Sequence, residues 1–165
     1  MSRLDSFIRR MTAQRDLIDH AATLLDGVPG PVVDLGLGAG RTYDHLRERL
    51  PGRPVYAFDL FVESAREVLP APEMLVLGDI RETLPHALPR IGAQAALIHN
   101  DLGSGDAVHN AATAAWLSPL VDALVTPGGI VLTSFPLALP RAARLPLPPG
   151  IREGRYHIYR QGDGA

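Results

Sequence analysis

Apolar residues in the first 25 positions recur at steps of three and four. The stripe comprises Leu4, Phe7, Ile8, Met11, Ile18, Ala21, Ala22 and Leu25. This period predicts an amphipathic helix, and the polar Gln14 and Arg15 leave open whether it is one bent helix or two short ones. Glycines and prolines at positions 27, 29, 30 and 31 end it. We expect 1–28 either to cover the edge of a sheet or to form a helical lid over a ligand.

Five short apolar runs follow, separated by segments that can form helices. The runs at 32–35, 55–59, 73–77, 95–99 and 130–135 predict strands, and helices are predicted over 42–50, 61–69 and 107–125. Strands joined by helices favour an α/β fold, a three-layer, doubly wound, mostly parallel sheet with an N-terminal helix. Ligands of such sheets bind beyond the carboxyl ends of the strands, where Gly36, Asp59, Asp79 and Asp101 fall.

The last thirty residues follow a different pattern. Five prolines between 136 and 150 exclude a regular helix or a central strand there, so this stretch is predicted to be an extended connector. Residues 155–160 favour a strand that returns antiparallel at the sheet edge. We therefore expect one domain over 1–165, with a cofactor-binding core at 30–135 and a proline-rich connector and edge strand at 136–165.

Composition narrows the possible chemistry. A chain of 165 residues fits one domain. The absence of cysteine excludes disulfides, thiolate zinc sites and a thiol nucleophile. A net charge of -2 argues against nucleic acid as a partner. Since the chain shows neither the apolar run of a secretory signal nor one of about 20 residues that could span a bilayer, we expect a cytoplasmic protein that does not bind membranes.

A glycine-rich loop joins the first strand to its helix and reads D-L-G-L-G-A-G-R-T from Asp34 to Thr42. Glycines permit a tight turn and let a ligand approach bare main chain, and amides at the helix start add donors. The dinucleotide pattern G-x-G-x-x-G requires a third glycine at the position of Arg41 and therefore fails. A nicotinamide oxidoreductase is left with only the loop and Asp59 in its favour.

The D-L-G-x-G-x-G loop resembles the first motif of class I S-adenosylmethionine-dependent methyltransferases, which have a Rossmann-like fold. The chain looks like a small stand-alone bacterial member. The resemblance implies that S-adenosylmethionine (SAM) is the cofactor. The loop residues implied to hold it are Asp34, Gly36, Leu37, Gly38, Gly40 and Thr42, with Asp34 orienting the loop through backbone amides or reaching the methionine ammonium.

Further motifs of that family follow in order over residues 30–135. Asp59, followed by Leu60, matches the acid that accepts hydrogen bonds from both ribose hydroxyls. Gly78, Asp79 and Ile80 resemble the adenine-binding motif, and Asn100 and Asp101 the residues beside the sulfonium. The run 127–132 resembles the turn into the fifth strand. Each acid alone is also explained as a helix cap or turn residue.

The methyl acceptor is less well defined by the sequence. Methyl transfer requires alignment and, for some acceptors, a base. Asp101 and His99 are the candidate catalytic residues, although His99 also fits a buried structural histidine. The residues after Asn100 depart from the Asn/Asp-Pro-Pro-aromatic pattern of nucleobase and glutamine methyltransferases, which argues against those substrates. Because the chain also has no basic surface for nucleic acid, we expect a small-molecule acceptor. Asp101 and Asp106 lack a third ligand, so no metal site is predicted.

Several side chains have two interpretations. Arg9, Arg10 and Arg15 could clamp the carboxylate of the cofactor or an anionic acceptor, or form a solvated helix face. Tyr156, together with His157 and Tyr159, is predicted to make packing or oligomer contacts at the far edge. Because the chain lacks substrate-binding insertions, a homo-oligomer could complete the pocket. A non-catalytic SAM-binding or subunit-partner module is the alternative function.

Overall fold

A computed structural model of the chain describes residues 2–63 and 68–163. The helices are α1 (Arg3–Thr23), α2 (Arg41–Arg49), α3 (Ile80–Thr83), α4 (Ala87–Ile91) and α5 (Ala107–Leu124). The strands are β1 (Val32–Leu35), β2 (Val55–Asp59), β3 (Leu75–Leu77), β4 (Ala95–Asn100), β5 (Val125–Thr133), β6 (Ala142–Leu145) and β7 (His157–Gln161). Residues 64–67 of the helix predicted over 61–69 lie outside the described residues, and 61–63 are not helical.

The seven strands form one sheet in the order β3-β2-β1-β4-β5-β7-β6. Strands β1 to β5 are parallel, and β7 is antiparallel to both of its neighbours. The predicted mostly parallel sheet with an antiparallel C-terminal strand is therefore confirmed. One detail differs: the connector contains β6, and this strand forms the edge instead of β7. Because β6 ends at Leu145, before the prolines at 146, 148 and 149, those prolines do not interrupt its ladder.

The core lies in two layers, one on each face of the sheet. Val33 and Ile98 pack in one cluster with residues of α3, α4 and α5. Val32 and Leu97, their neighbours along the strands, pack in the other cluster with residues of α1 and α2. Alternate strand residues point to opposite faces. The helices therefore cover both faces, as the sequence pattern predicted.

The N-terminal segment forms one helix, which settles the question left by the polar break. A capping box starts α1: the Ser2 hydroxyl accepts from the Asp5 amide at 3.0 Å, and the Asp5 carboxylate accepts from the Ser2 amide at 2.9 Å. Leu17, Ile18 and Ala21 are buried against the sheet. Of the two residues that break the apolar stripe, Gln14 is also buried on the inner face of α1, whereas Arg15 is exposed.

Candidate functional site

The glycine-rich loop turns sharply at the carboxyl end of β1. Gly36 has φ +95°, and its amide donates to the Phe58 carbonyl at 2.9 Å. A Cβ at Gly36 would lie 3.2 Å from Cδ2 of Leu102. The backbone at this position therefore favours glycine on both conformational and steric grounds. Gly40, with φ +77°, begins α2 as its N-cap residue.

Asp59 ties this loop to the end of β2. Its Oδ2 accepts from the Gly38 amide at 2.9 Å, and its Oδ1 accepts from the Leu60 amide at 2.7 Å. A carboxylate offers about four lone-pair sites, so two amides leave it further capacity as an acceptor. Asp59 thus fixes the loop and can still bind hydroxyl groups of a ligand.

Loop and strand ends border a crevice of about 260 Å³ beneath α1. Its lining includes these residues singled out from the sequence: Gly36, Leu37, Gly38, Thr42, Asp59 and Asp101. Leu37 is also part of the hydrophobic core, with 2% of its surface exposed. From α1, Arg10, Met11 and Gln14 complete the wall. The structure therefore brings six of the thirteen predicted cofactor residues together in this crevice.

The predicted adenine-binding residues lie beside the crevice, beyond Asp59. The Gly78 amide donates to the Asp59 carbonyl at 3.0 Å, which places the end of β3 next to the end of β2. Asp79 is exposed and caps α3, accepting from the Arg81 amide at 2.8 Å, whereas Ile80 is buried. Four exposed apolar side chains surround this edge: Leu60, Phe61, Val62 and Leu77. Such a surface suits a planar aromatic ring.

Asp34 and His99 form a buried pair behind the loop. Asp34 Oδ1 lies 2.7 Å from His99 Nδ1, and the two residues are 0% and 4% exposed. Burial lowers the pKa of His99, but the hydrogen bond and charge of Asp34 outweigh it and raise the pKa overall. Burial raises the pKa of Asp34. Asp34 thus bonds to His99 through Oδ1, and its Oδ2 has no partner within the described part of the chain, so it does not bond to the loop amides, which was one of the two roles expected from the sequence.

Asn100 and Asp101 differ in what their side chains do. Asn100 donates to the Thr133 hydroxyl at 2.9 Å and accepts from the Leu102 amide at 3.1 Å, so its amide group holds β4 to β5. The Asp101 carboxylate lines the crevice and has no hydrogen-bond partner among residues 2–63 and 68–163. Of these two, Asp101 is the side chain available to a ligand.

Gln14 was not among the predicted site residues. Its side chain is 3% exposed, and neither its nitrogen nor its oxygen has a hydrogen-bond partner within the described part of the chain. An unsatisfied buried amide costs about 1–3 kcal/mol. Since Gln14 lines the crevice, a bound ligand could supply the missing partners. The break that Gln14 makes in the apolar stripe of α1 was the signal that could have found it.

Tyr156 also lies at the site, which contradicts its predicted place at the far edge. Because β7 runs antiparallel to β5, with His157 opposite Thr133, the residue before β7 lies beyond the carboxyl end of β5. Tyr156 lines a narrow cleft with Gln14, His99 and Asp101. Burial and the charge of Asp101 raise the pKa of Tyr156 to about 12, despite the opposing effect of Arg10 and Arg155. The phenol therefore stays protonated at neutral pH.

A second cavity of about 180 Å³ opens on the other side of Tyr156, between α1 and residues 150–156. Arg9 and Arg10 line it, as do Arg152 and Arg155. Arg15 does not line it, but pairs with the lining residue Asp16 at 2.7 Å. Two of the three N-terminal arginines singled out from the sequence are therefore at this cavity, together with two that were not.

The described residues contain neither a cluster of metal-binding side chains nor a helix that could span a membrane. Residues 2–63 and 68–163 contain no group of three or more histidine and acidic side chains that could hold a metal ion. In the same part of the chain, none of the helices has the length and apolar character required to cross a bilayer.

The strand order of the sheet is that of the Rossmann-like methyltransferase class. So is the position of the crevice, which the glycine-rich loop lines at the carboxyl ends of the strands. A family of S-adenosyl-L-methionine methyltransferases matches residues 1–161, and the chain belongs to this family. The crystal structure of an S-adenosyl-L-methionine methyl transferase from Silicibacter pomeroyi DSS-3 is 46% identical, with a TM-score of 0.90, and the match covers 98% of this chain and 99% of that one. The resemblance inferred from the sequence is confirmed.

More distant structures show the same fold. TomG, an O-methyltransferase from Streptomyces achromogenes solved with SAM, is 17% identical with a TM-score of 0.52, and the match covers 73% of this chain and 54% of TomG. The sugar N-methyltransferase KedS8 from Streptoalloteichus is 16% identical with a TM-score of 0.52, and the match covers 81% of this chain and 53% of KedS8. The chain spans about half of the length of each. No curated protein matches the chain.

The family membership makes the chain a SAM-dependent methyltransferase, and SAM is its cofactor. The alternative of a non-catalytic binding module is not favoured, and the nicotinamide alternative has no support from these comparisons. The specific role of each side chain is not fixed by the family and stays a prediction.

Proposed function

We propose that the chain transfers the methyl group of SAM, held in the crevice under α1, to a small-molecule acceptor that enters beside Tyr156. The observation that carries this proposal is the junction of two cavities: the crevice and the second cavity share Arg10, and Tyr156 lies between them. A donor and an acceptor bound on the two sides would meet near Asp101.

The residues of the crevice fit SAM. Gly36 leaves the main chain bare, Asp59 has acceptor capacity for two ribose hydroxyls, and the apolar edge around Leu77 suits adenine. The unsatisfied amide of Gln14 matches the polar methionine end. When bound, SAM supplies a methyl carbon that bonds to the acceptor's lone pair as the carbon–sulfur bond breaks and its electrons stay on sulfur.

Asp101 and Tyr156 are the side chains we assign to the acceptor. Asp101 carries a carboxylate without a partner among the described residues and can accept the proton that an O–H or N–H acceptor loses. The Tyr156 phenol stays protonated because its pKa is raised, and it donates to the main-chain carbonyl of Arg10 across a long 3.4 Å contact that a bound acceptor would replace. His99 has Nδ1 engaged by Asp34 and is 4% exposed, so we assign it a positioning role instead of the catalytic role expected from the sequence.

We further propose that α1 acts as the lid of the site, as part of the single domain inferred from the sequence. Arg10, Met11 and Gln14 of α1 line the crevice, while Leu17 and Ile18 anchor the helix in the core. The N-terminal half can therefore move while the C-terminal half holds its place. Location in the cytoplasm and a homo-oligomer stay predictions, the latter tested by sedimentation with and without S-adenosylhomocysteine.

Calorimetry and turnover together test the function. Wild-type protein is expected to bind SAM and S-adenosylhomocysteine, and to transfer a radiolabelled methyl group to at least one member of a panel of small alcohols, acids and amines. Asp101→Asn should keep the affinity for S-adenosylhomocysteine and lose most of the turnover. If neither SAM nor S-adenosylhomocysteine binds at millimolar concentration, the proposal is refuted. If only tRNA or protein becomes labelled, the acceptor is not a small molecule.

A further inference from the structure

The cavity between α1 and residues 150–156 has an unusual charge for this protein. Four of the sixteen cationic residues of the chain, Arg9, Arg10, Arg152 and Arg155, line it. The acidic residue of the lining, Asp16, is already paired with Arg15 at 2.7 Å. The chain as a whole has a net charge of -2, so the concentration of positive charge is local.

None of these four arginines forms an ion pair with any residue in 2–63 or 68–163. Arg10 lies over the Phe7 ring, 6.0 Å from its centroid, and its main-chain carbonyl accepts from the Tyr156 hydroxyl at 3.4 Å. Like charges gathered in one concave site repel one another, and an anion relieves that repulsion. Guanidinium groups bind carboxylates and phosphates through paired hydrogen bonds.

The walls between the arginines are partly apolar. Ala13, Ile151 and the ring of Tyr156 line the same cavity. A simple inorganic ion would leave these surfaces without a partner, whereas an organic molecule with an apolar body would cover them. Tyr156 marks the side on which such a molecule would approach Asp101, since both residues line the same narrow cleft.

We infer that the methyl acceptor is a small organic oxyanion, whose carboxylate or phosphate binds the arginines of this cavity while its nucleophilic atom points past Tyr156 toward the crevice. This inference rests on the proposed function for the methyl transfer itself. The anion-binding site stands on the geometry of the cavity alone, so the two can be tested separately.

The test compares matched charged and neutral probes by ligand-observed NMR, with S-adenosylhomocysteine present. The probes are 4-hydroxybenzoate against 4-hydroxybenzamide, and phenyl phosphate against phenol. At least one anion is expected to bind 10-fold or more tightly than its neutral partner. Preference for 4-hydroxybenzoate would identify a carboxylate, and preference for phenyl phosphate a phosphate.

Variants then locate the site. Arg152→Gln combined with Arg155→Gln should remove the charge preference and leave the dissociation constant of S-adenosylhomocysteine within twofold of wild type, since neither residue lines the crevice. Arg3→Gln is the matched control, because Arg3 is an exposed arginine on α1 that lines neither cavity. It should bind both anions like wild type.

Three results would overturn the inference: equal binding of charged and neutral probes, no binding of any probe at millimolar concentration, or an unchanged preference in the double variant. If the wild type does not bind S-adenosylhomocysteine at all, the proposed function is refuted. A preference of the protein for the charged probes would still support the anion-binding site. Circular dichroism of the double variant checks its fold, which exposed side chains should not alter.

Discussion

Replacing Asp59 with alanine removes the carboxylate that closes the glycine loop and, in our interpretation, binds the ribose. In the structure this carboxylate accepts from the Gly38 and Leu60 amides at 2.9 and 2.7 Å. Both contacts are lost in the free and in the bound protein, so they largely cancel in the binding free energy. What remains is the loss of the hydrogen bonds from the two ribose hydroxyls.

Hydrogen bonds to a charged group contribute about 1.5–3 kcal/mol, and two that share one charge are not additive. We therefore expect Asp59→Ala to weaken S-adenosylhomocysteine binding by about 1.5–3 kcal/mol, which is roughly 10- to 150-fold in the dissociation constant. Asp59→Asn keeps the shape and one acceptor oxygen and should fall between the wild type and the alanine variant. Isothermal calorimetry measures all three.

Asp26→Asn serves as the control, because Asp26 is an exposed acid that does not line the crevice. It should bind S-adenosylhomocysteine like wild type, which separates the role of Asp59 from a general change in charge. Circular dichroism verifies that Asp59→Ala is folded. If its dissociation constant is then unchanged, Asp59 does not bind the ribose, and the proposal that the crevice holds SAM in this orientation is refuted.

Three further outcomes are expected. Gly36→Ala should lower the melting temperature and weaken cofactor binding, because its φ of +95° and close neighbour both disfavour a Cβ, whereas Gly52→Ala, at φ +87° with open space around it, should show only the conformational cost. His99→Ala should lower the free energy of unfolding in urea by about 3–5 kcal/mol, since it leaves Asp34 buried without its partner; a loss below about 1 kcal/mol would contradict the buried pair. Because the folded-state pKa of Tyr156 is raised to about 12, its contribution to stability should be complete below about pH 10 and be lost as the pH rises toward 12. Urea unfolding of wild type and Tyr156→Phe across that range should show a difference of about 2 kcal/mol, and parallel curves would contradict the assigned environment.

The features that were predicted correctly from the sequence depend on residues that are close together in the chain. The strands β1, β2 and β4 are mostly apolar because both of their faces are largely buried, and such runs are visible without any knowledge of their neighbours. The glycine loop and Asp59 are found in the same way, because a strand end followed by a tight turn has its own residue signature. The family resemblance added roles for residues that lay in those places.

The acceptor side could not be predicted in this way. The place of Tyr156 depends on β7 inserting between β5 and β6, a pairing across some 25 residues whose register no local pattern encodes. The position of β6 at the edge depends on the same pairing. A ligand-binding role for the unpaired side-chain amide of Gln14 can be inferred only from the tertiary structure, in which α1 lines the crevice.

The sequence alone therefore determined the layered α/β fold and its glycine-rich loop, because periodicity and turn chemistry act between residues close in the chain. The cofactor class came from the resemblance of that loop and the motifs after it to a known family. Only the tertiary structure decided which distant side chains share a cavity. Arg9 and Arg10 meet Arg152 and Arg155 because α1 and the segment before β7 pack against the same end of the sheet. That proximity is a property of the packing, and the proposed class of acceptor follows from it.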